Sequence, residues 1–346
     1  MRRLLFGLLT LIACGTATAQ QPPPGLPTPR IQNVFPAGAK AGPPQMTRAF
    51  GAVLKCDHDV VIIGTDLDEP EKLYFSHPGI KGEYLAPRIP VDPKKKDMPK
   101  ANANGPHKFR VTIAPDVPPG IYDLRVVGKY GVSNPRAFVV GSLKEVLEQE
   151  PNNDVPEAQR VELGTTINGV LTSGTDVDYS VFTGKKGQRV IVSCLASSID
   201  ARATPMIEIF DVSGRKLVTN RNYNDGDALA DVILPEDGDY LIRLFQFAYQ
   251  GGGPDFVYRL SISTGPWIDA VFPPIIEPRK PAQVTLYGRN LAGSQPADGY
   301  TIDGRPLEKL AVTITPPADP AANTRLGLHG RIDPVTALQD GFEYTF

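Results

Sequence analysis

Histidine, cysteine and tryptophan are scarce in this chain, which limits the chemistry that it can carry. Its 346 residues include three cysteines and one tryptophan. The four histidines are His58, His77, His107 and His329. They are scattered, and none has the close spacing of a zinc site. Cys14 lies in an N-terminal apolar run, so the rest of the chain keeps only Cys56 and Cys194, which we place in different domains. We expect buried thiols rather than a disulfide scaffold.

Motifs of catalysis are also missing. The sequence contains no H-E-x-x-H, no G-x-S-x-G, no G-x-x-x-x-G-K-[ST] and no G-x-G-x-x-G. Ser76 precedes His77, but the sequence displays neither a base nor an orienting acid for that serine. Separated pairs of acids could serve glycoside hydrolysis, yet acids in this composition are more typical of turns. We therefore predict that the protein is not an enzyme. The net charge of −2 argues against nucleic-acid binding.

Glycine and proline, by contrast, are abundant. The chain has 33 glycines and 35 prolines, each close to a tenth of the residues, and its apolar runs are short and separated by turns. This pattern favours strands over helices. We predict an all-β protein of three consecutive β-sandwich domains behind an export signal. Only residues 142–148, SLKEVLE, are expected to form a helical turn or two.

Residues 1–19 have the features of an export signal. Met1–Arg3 is basic, and Leu4–Ala13 is an apolar run that is too short to span a bilayer. The protein is therefore expected in the periplasm, at the cell surface or outside the cell.

Two sites in this signal compete for processing. Ala17–Ala19 is a small-x-small cleavage site before Gln20, whereas LIAC, which ends at Cys14, resembles a bacterial lipobox. Cleavage after Ala19 gives a soluble protein. Acylation of Cys14 gives a lipoprotein whose lipid is its only contact with a membrane. The Pro-rich linker 20–30 suits either product.

An internal repeat flanks the middle of the chain. IQNVFP at 31–36 matches IDAVFP at 268–273, and VVIIGTDL at 60–67 matches VTLYGRNL at 284–291. The glycine of the second motif marks a bend or close backbone approach, and its leucine is expected in the core. These motifs resemble those of IPT/TIG immunoglobulin-like domains. The resemblance implies one such domain at 31–141 and another at 266–346.

The segment between the repeats, 142–265, is the acidic part of the chain. It has 11 lysines and arginines against 18 aspartates and glutamates, a net charge of −7. Its opening, EQEPNND, is followed by GVL at 169–171, D-x-D at 176–178 and PEDGDYLIRL at 235–244. These motifs resemble the bacterial pre-peptidase C-terminal domain, a non-catalytic β-sandwich of exported proteins. Within DGDYLIRL, period-two alternation places Tyr240 in the core.

The same motifs offer oxygen ligands for a hard cation. The candidate metal ligands are Glu148, Glu150, Asn152, Asn153, Asp176 and Asp178. Calcium takes six to eight oxygen ligands. Collagen-binding members of the family use an acidic linker of this kind for calcium, so the resemblance implies a calcium site. The alternative is that the glutamates are solvated linker charges and the other four residues form turns.

Two further loops are weaker candidates for binding. The loop 220–231 resembles a calcium loop but lacks the D-x-[DN]-x-[DN]-G spacing. Phe247 and Tyr249, beside three glycines, are candidates for stacking on sugar or peptide, with core packing as the alternative. The short joints at 141–150 and 263–267 predict a semi-rigid rod.

Three functions fit these observations. The first is an exported, non-catalytic binding or structural protein whose loops face an extracellular or envelope partner. The second is an accessory module that targets a secreted hydrolase to a polysaccharide or fibrous protein. The third, a hydrolase with an unrecognised site, is disfavoured because no nucleophile–base motif is evident.

Overall fold

The computed structural model describes residues 25–43, 46–48, 54–56, 58–86, 105–223 and 226–318. Over these ranges the chain forms 25 β-strands, three short 3-10 helices and no α-helix, so the predicted all-β class is confirmed. Among the described residues the structure has no helix with the length and apolar character that a membrane span requires. The export signal, Cys14, His329 and the C-terminal GFEYTF lie outside the described residues.

The first part of the chain folds one sheet around a core. Its strands are β1 (Arg30–Phe35), β2 (Gly38–Lys40), β3 (Met46–Arg48), β4 (Leu54–Cys56), β5 (Asp59–Thr65), β6 (Lys72–Phe75), β7 (Ile80–Tyr84), β8 (His107–Ile113), β9 (Gly120–Gly128), β10 (Gly131–Val132) and β11 (Arg136–Gly141). The sheet order is β1-β5-β8-β7-β6-β9-β11-β2, with β10 beside β9 and β3–β4 as a separate hairpin. Alternate residues such as Val60, Ile62 and Phe109 fill the core.

The middle sandwich consists of two five-stranded sheets. Its strands are β12 (Lys144–Leu147), β13 (Gln159–Arg160), β14 (Thr165–Val170), β15 (Val177–Gly184), β16 (Arg189–Leu195), β17 (Pro205–Asp211), β18 (Lys216–Asn220), β19 (Ala228–Ile233), β20 (Gly238–Gln246) and β21 (Val257–Ser263). The sheet orders are β12-β14-β21-β16-β19 and β13-β15-β20-β17-β18. Short 3-10 helices occur at Val155–Glu157, Ser197–Ile199 and Phe247–Tyr249. One apolar core lies between the sheets, and Tyr240, Ile242 and Leu244 are buried in it as predicted.

The helical turn predicted for 142–148 is wrong. Residues Lys144–Leu147 form β12, which pairs in parallel with β14. Lys144 is opposite Thr165, and Thr165 is opposite Ile262 of β21. The chain therefore enters and leaves the middle sandwich at the same end, two strands apart. A straight rod with one flanking domain at each end, which the short joints predicted, does not follow from this strand order.

The third part forms a four-stranded sheet, described up to residue 318. Its strands are β22 (Trp267–Phe272), β23 (Ala282–Arg289), β24 (Gln295–Ile302) and β25 (Arg305–Ile314), in the order β22-β23-β25-β24. We call it the third sheet.

The sequence repeat corresponds to a structural repeat. In each copy the first strand pairs with the strand of the glycine motif, β1 with β5 and β22 with β23, and each pair has one register shift. Added Cβ atoms on Gly64 and Gly288 would lie 2.1 and 2.0 Å from a backbone oxygen of the paired strand, so the expected close backbone approach is present. Leu67 and Leu291 are both buried.

The first sheet packs along a face of the middle sandwich. Ala37, Ala137 and Val139 form an apolar cluster with Ile199 and Val257. Polar contacts flank this cluster: Asn33 donates to the Pro254 carbonyl, and Asp200 accepts from Ala137 N at 2.8 Å. This first joint is thus mainly an apolar interface.

The joint to the third sheet is polar instead. Arg289, 1% exposed, lies 3.2 Å from Asp269 and 3.6 Å from Asp231. Tyr223 donates to Asp269 and accepts from the indole N–H of Trp267, at 2.7 and 3.0 Å. Buried ion pairs and directional hydrogen bonds therefore hold the third sheet against the middle sandwich.

Candidate metal centre

Glu148 is fixed at the end of β12. Its backbone N–H donates to the carbonyl of Asn168, which continues the parallel pairing with β14. Its side-chain Oε2 accepts from Val170 N at 3.0 Å, and Oε1 accepts from the hydroxyl of Tyr258 at 2.9 Å. The strand and these two donors set the direction in which the carboxylate points.

Asp178 reaches the same place from β15. It is 5% exposed, and neither of its carboxylate oxygens forms a well-aligned hydrogen bond with the described residues, although the Tyr258 hydroxyl lies close enough to lower its pKa. Burial of an unpaired carboxylate is costly, so native proteins rarely leave one without a proton, a donor or a cation. Asp178 therefore requires either a proton or a cation.

Glu150 and Asn152 complete the group from the turn after β12. Glu150 Oε2 accepts from Asn152 N at 3.1 Å, and Asn152 Nδ2 donates to Glu148 at 3.2 Å. The carbonyl of Asn152 accepts from Tyr179 N at 2.8 Å, which ties this turn to β15. Asn152 is 2% exposed, and its side-chain oxygen Oδ1 lacks a donor among the described residues.

Three carboxylates thus converge, and we call Glu148, Glu150 and Asp178 the carboxylate cluster. One oxygen from each lies within 4.8 Å of the others. Two oxygens on opposite sides of a calcium ion are at most about 5 Å apart, because each lies about 2.4 Å from the ion. The side-chain atoms that could bind a metal are all oxygens, with no nitrogen or sulfur, which favours a hard cation over a transition metal. The residues therefore fit calcium.

The electrostatics of the cluster agree with its geometry. Burial, followed by the charge of Glu148, raises the pKa of Asp178 to about 10. Burial also raises the pKa of Glu150, and Glu148 and Asp176 add to that rise. No lysine or arginine of the described residues is among the groups that shift either pKa. Near neutral pH Asp178 therefore needs either a proton or a cation.

The structure brings together four of the six residues predicted as metal ligands. Glu148, Glu150 and Asp178 form the cluster, and Asn152 contacts it. Asp176 lies nearby, but its Oδ2 accepts from the backbone and hydroxyl of Thr172 at 2.6 and 2.7 Å, as a turn residue does. Asn153 donates to Glu150 from an exposed position. The turn alternative thus describes Asp176 and Asn153 better.

Tyr258 was missed as a site residue. No motif of the sequence indicated it, yet its buried ring carries the hydroxyl that donates to Glu148. An added Cβ on Gly169 would lie 2.2 Å from that ring, so the glycine of the GVL motif makes room for the tyrosine. The signal was that glycine, whose partner became visible only in the sheet pairing Gly169–Tyr258.

The two weaker candidate loops differ in the contacts that their side chains make. Phe247 and Tyr249 are exposed by 37% and 48%, so core packing is wrong for both. In the described part of the loop 220–231, Tyr223 joins the third sheet and Asp227 accepts backbone hydrogen bonds from Ala196 and Ser198. That loop is therefore structural.

Comparisons with known proteins cover parts of the chain. No protein-family model matches it. A probable subtilase-type serine protease of Deinococcus radiodurans is 30% identical over 105 residues, which are 30% of this chain and 14% of the protease. The chain thus spans only a small share of that relative's length.

Solved structures give partial likenesses. The pre-peptidase C-terminal domain of a collagenase from Bacillus anthracis is 20% identical with a TM-score of 0.27, and the match covers 34% of this chain and 100% of that domain. SGBP-B from a complex xyloglucan utilization locus in Bacteroides uniformis is 10% identical with a TM-score of 0.22, over 69% and 73% of the two chains. One solved neighbour is thus a domain of the family that the motifs of the middle sandwich resemble.

Proposed function

We propose that this protein is exported and acts by binding rather than catalysis, with one calcium ion that fixes the start of its middle sandwich. The single observation that carries the proposal is the carboxylate cluster. Three carboxylates within 4.8 Å of one another repel, and Asp178 is buried beside the Tyr258 hydroxyl, which donates to Glu148 instead. A calcium ion held by these three and by the amide oxygen of Asn152 removes both costs.

The proposed calcium ion has a structural role, because it joins the two sheets of the middle sandwich. Glu148 ends the strand that enters the middle sandwich, and Asp178 belongs to the opposite sheet. An ion between them joins the two sheets. It lies at the end of the sandwich where the Pro254 carbonyl accepts a hydrogen bond from Asn33 of the first sheet. Calcium binding therefore stabilises both the sandwich and its first joint.

The hydrogen bonds of Ser76 and His77 support a non-catalytic role. Ser76 Oγ accepts from Asp123 N at 3.1 Å, and His77 Nδ1 accepts from Gly79 N at 3.0 Å. His77 thus serves its local turn, and Ser76 joins the end of β6 to β9. The function is then to present loops of packed sandwiches to an extracellular or envelope partner.

Terbium luminescence tests the metal site directly. Terbium replaces calcium and is excited through a nearby tyrosine, and Tyr258 donates to a proposed ligand. We expect calcium-reversible terbium emission from the wild type, little from Tyr258→Phe, and none from Asp178→Asn. Calorimetry should show that Tyr258→Phe still binds calcium. If the wild type binds neither ion at millimolar concentration, the calcium proposal is wrong.

Export is tested by mass spectrometry of the mature N-terminus from the native host. A start at Gln20 means a soluble protein, and an acylated Cys14 means a lipoprotein. An intact Met1 in the cytosolic fraction would contradict both.

A second candidate is an accessory module that brings a separate hydrolase to a polymer. The specific observation that favours it is the pair of exposed rings of Phe247 and Tyr249. Retention of the protein on an insoluble polymer, with no change in the polymer's reducing ends, would support this candidate.

A further inference from the structure

The segment Phe247–Tyr249, which we call the aromatic turn, displays two rings at the end of β20. The middle sandwich has ten aromatic side chains, and these are the only two that are exposed. Neighbours such as Phe245, Phe256 and Tyr258 are buried. Two adjacent exposed rings form a small apolar patch, which is a candidate surface for a ligand.

The backbone holds these rings in an uncommon conformation. Ala248 and Tyr249 have φ values of 62° and 51°, in the left-handed region that residues with a Cβ rarely adopt. Phe247 N donates to the Thr204 carbonyl at 2.8 Å. An added Cβ on Gly174 would lie 2.6 Å from the carbonyl oxygen of Tyr249, so the two loops are in close contact. The turn is therefore fixed by its surroundings, and the rings are held in place before any ligand arrives.

Each ring is backed on one side. The guanidinium of Arg221 lies 3.9 Å from the ring centre of Phe247. Tyr249 stacks on Phe245 at 5.4 Å with an angle of 17°, and Arg243 donates to the Tyr249 hydroxyl at 3.4 Å. The exposed parts of the rings face solvent, with guanidinium N–H donors next to them. Apolar ring faces beside fixed polar groups suit a ligand that has both C–H and hydroxyl surfaces.

We propose that the aromatic turn is a stacking site for a neutral polysaccharide chain. A pyranose ring offers a C–H face for Phe247 or Tyr249 and hydroxyls for the neighbouring arginines. Arg243 is paired with Glu208 at 3.1 Å, and the net charge of −7 over residues 142–265 disfavours uronic or sulfated chains, so the ligand that we propose is an uncharged glycan. This inference rests on the proposed non-catalytic function and names its ligand class and its surface.

The test uses the full mature chain in affinity electrophoresis and pull-down with neutral glycans. The probes are cellulose, chitin, xyloglucan, mixed-linkage β-glucan and starch. Phe247→Ala and Tyr249→Ala are compared with Tyr74→Ala, which removes a more exposed ring, 57% accessible, from the first sheet. We expect retention on at least one glycan, a loss of about tenfold in affinity in each turn variant, and no change in the Tyr74 control. Thermal melting confirms that the variants are folded.

Three outcomes overturn the proposal. They are no retention on any neutral glycan, wild-type affinity in both turn variants, or an equal loss in the Tyr74 control. A reducing-end assay on the same samples distinguishes failure of the glycan site from failure of the proposed non-catalytic function. Cleavage of a glycan would contradict the non-catalytic role, whereas absence of both cleavage and retention removes only the glycan site.

Discussion

Asp178 and Asp176 belong to the same D-x-D motif, but their side chains have different surroundings. The D-x-D motif placed two aspartates near the entry segment, and the sequence could not tell them apart. In the structure Asp176 has donors from Thr172, whereas the buried carboxylate of Asp178 lies beside the Tyr258 hydroxyl, which donates to Glu148 instead. The difference arises because Asp178 belongs to a paired strand and faces inward, while Asp176 precedes that strand in a turn.

This burial predicts an unusual pH dependence. The pKa of Asp178 is about 10 in the folded protein and has its ordinary low value in the unfolded chain. Between these pH values the folded state holds a proton that the unfolded state has released. In chelator the free energy of unfolding should therefore fall as pH rises, by up to about 1.4 kcal/mol per pH unit.

Urea unfolding of the wild type and Asp178→Asn between about pH 5 and about pH 9 measures this effect. We expect the difference between the two proteins to grow with pH in chelator and calcium affinity to rise over the same range, since calcium displaces the proton. A wild-type stability that rises with pH relative to Asp178→Asn would show that the carboxyl group is not buried in this way.

Two tyrosines repeat one local structure. Tyr122 and Tyr240 each follow a G-x pair after a turn, and each hydroxyl donates to the carbonyl four residues earlier, of Pro118 at 2.8 Å and of Glu236 at 2.7 Å. The hydrogen bond closes the turn while the ring enters the core. For Tyr240 the sequence predicted burial from strand alternation, but not the hydroxyl contact.

Tyr240 therefore allows two graded substitutions. Tyr240→Ala removes a ring that is 1% exposed and stacks on Phe182, so we expect a loss of about 3 to 5 kcal/mol of unfolding free energy. Tyr240→Phe removes only the hydroxyl and should cost about 1 kcal/mol. Chemical denaturation measures both. Equal losses would mean that the hydroxyl, not the ring, dominates.

At the scale of elements, β12 shows where sequence reasoning failed. SLKEVLE has a good composition for a helix, and no motif of the sequence includes Glu145. In the structure Glu145 and Arg259 are both almost fully buried and pair at 2.7 Å, with Asn168 alongside. Tertiary pairing with β14 and the packed first sheet overrode the local preference, and neither partner is near in sequence.

Loss of one partner of the Glu145–Arg259 pair should lower the free energy of unfolding more than loss of both partners. Arg259→Met leaves a buried carboxylate without its cation and should cost about 3 to 5 kcal/mol, while Glu145→Leu combined with Arg259→Met should cost less. Urea unfolding of both single variants and the double variant gives the coupling. Additive losses would show that the charges do not depend on each other.

At the scale of the molecule, the all-β class and the internal repeat could be predicted from the sequence, whereas the contacts at the two joints could not. Alternation, turn residues and the glycine motif are local signals. The ion pair of Arg289 with Asp231 joins the third sheet to the middle sandwich, and no spacing in the sequence predicts this contact.

Trp267 reports on that second joint because it is the only tryptophan and bonds to Tyr223. Arg289→Met leaves Asp269 buried without its cation, so the Trp267 fluorescence transition should move to lower urea by the equivalent of about 3 kcal/mol. Lys309→Met, an exposed change in the same sheet, is the control. If both variants shift alike, the ion pairs do not hold the joint.

The shared position of entry and exit has a mechanical consequence. Lys144 and Ile262 lie about 10 Å apart, on either side of Thr165, since neighbouring strands are about 4.8 Å apart. A force that separates the flanking parts would cross only β12, β14 and β21, and would load the hydrogen bonds of β12 one after another from Lys144. Peeling would end at Glu148, in the carboxylate cluster. A calcium ion there would act as a stop, so that tension opens the entry strand without reaching the core.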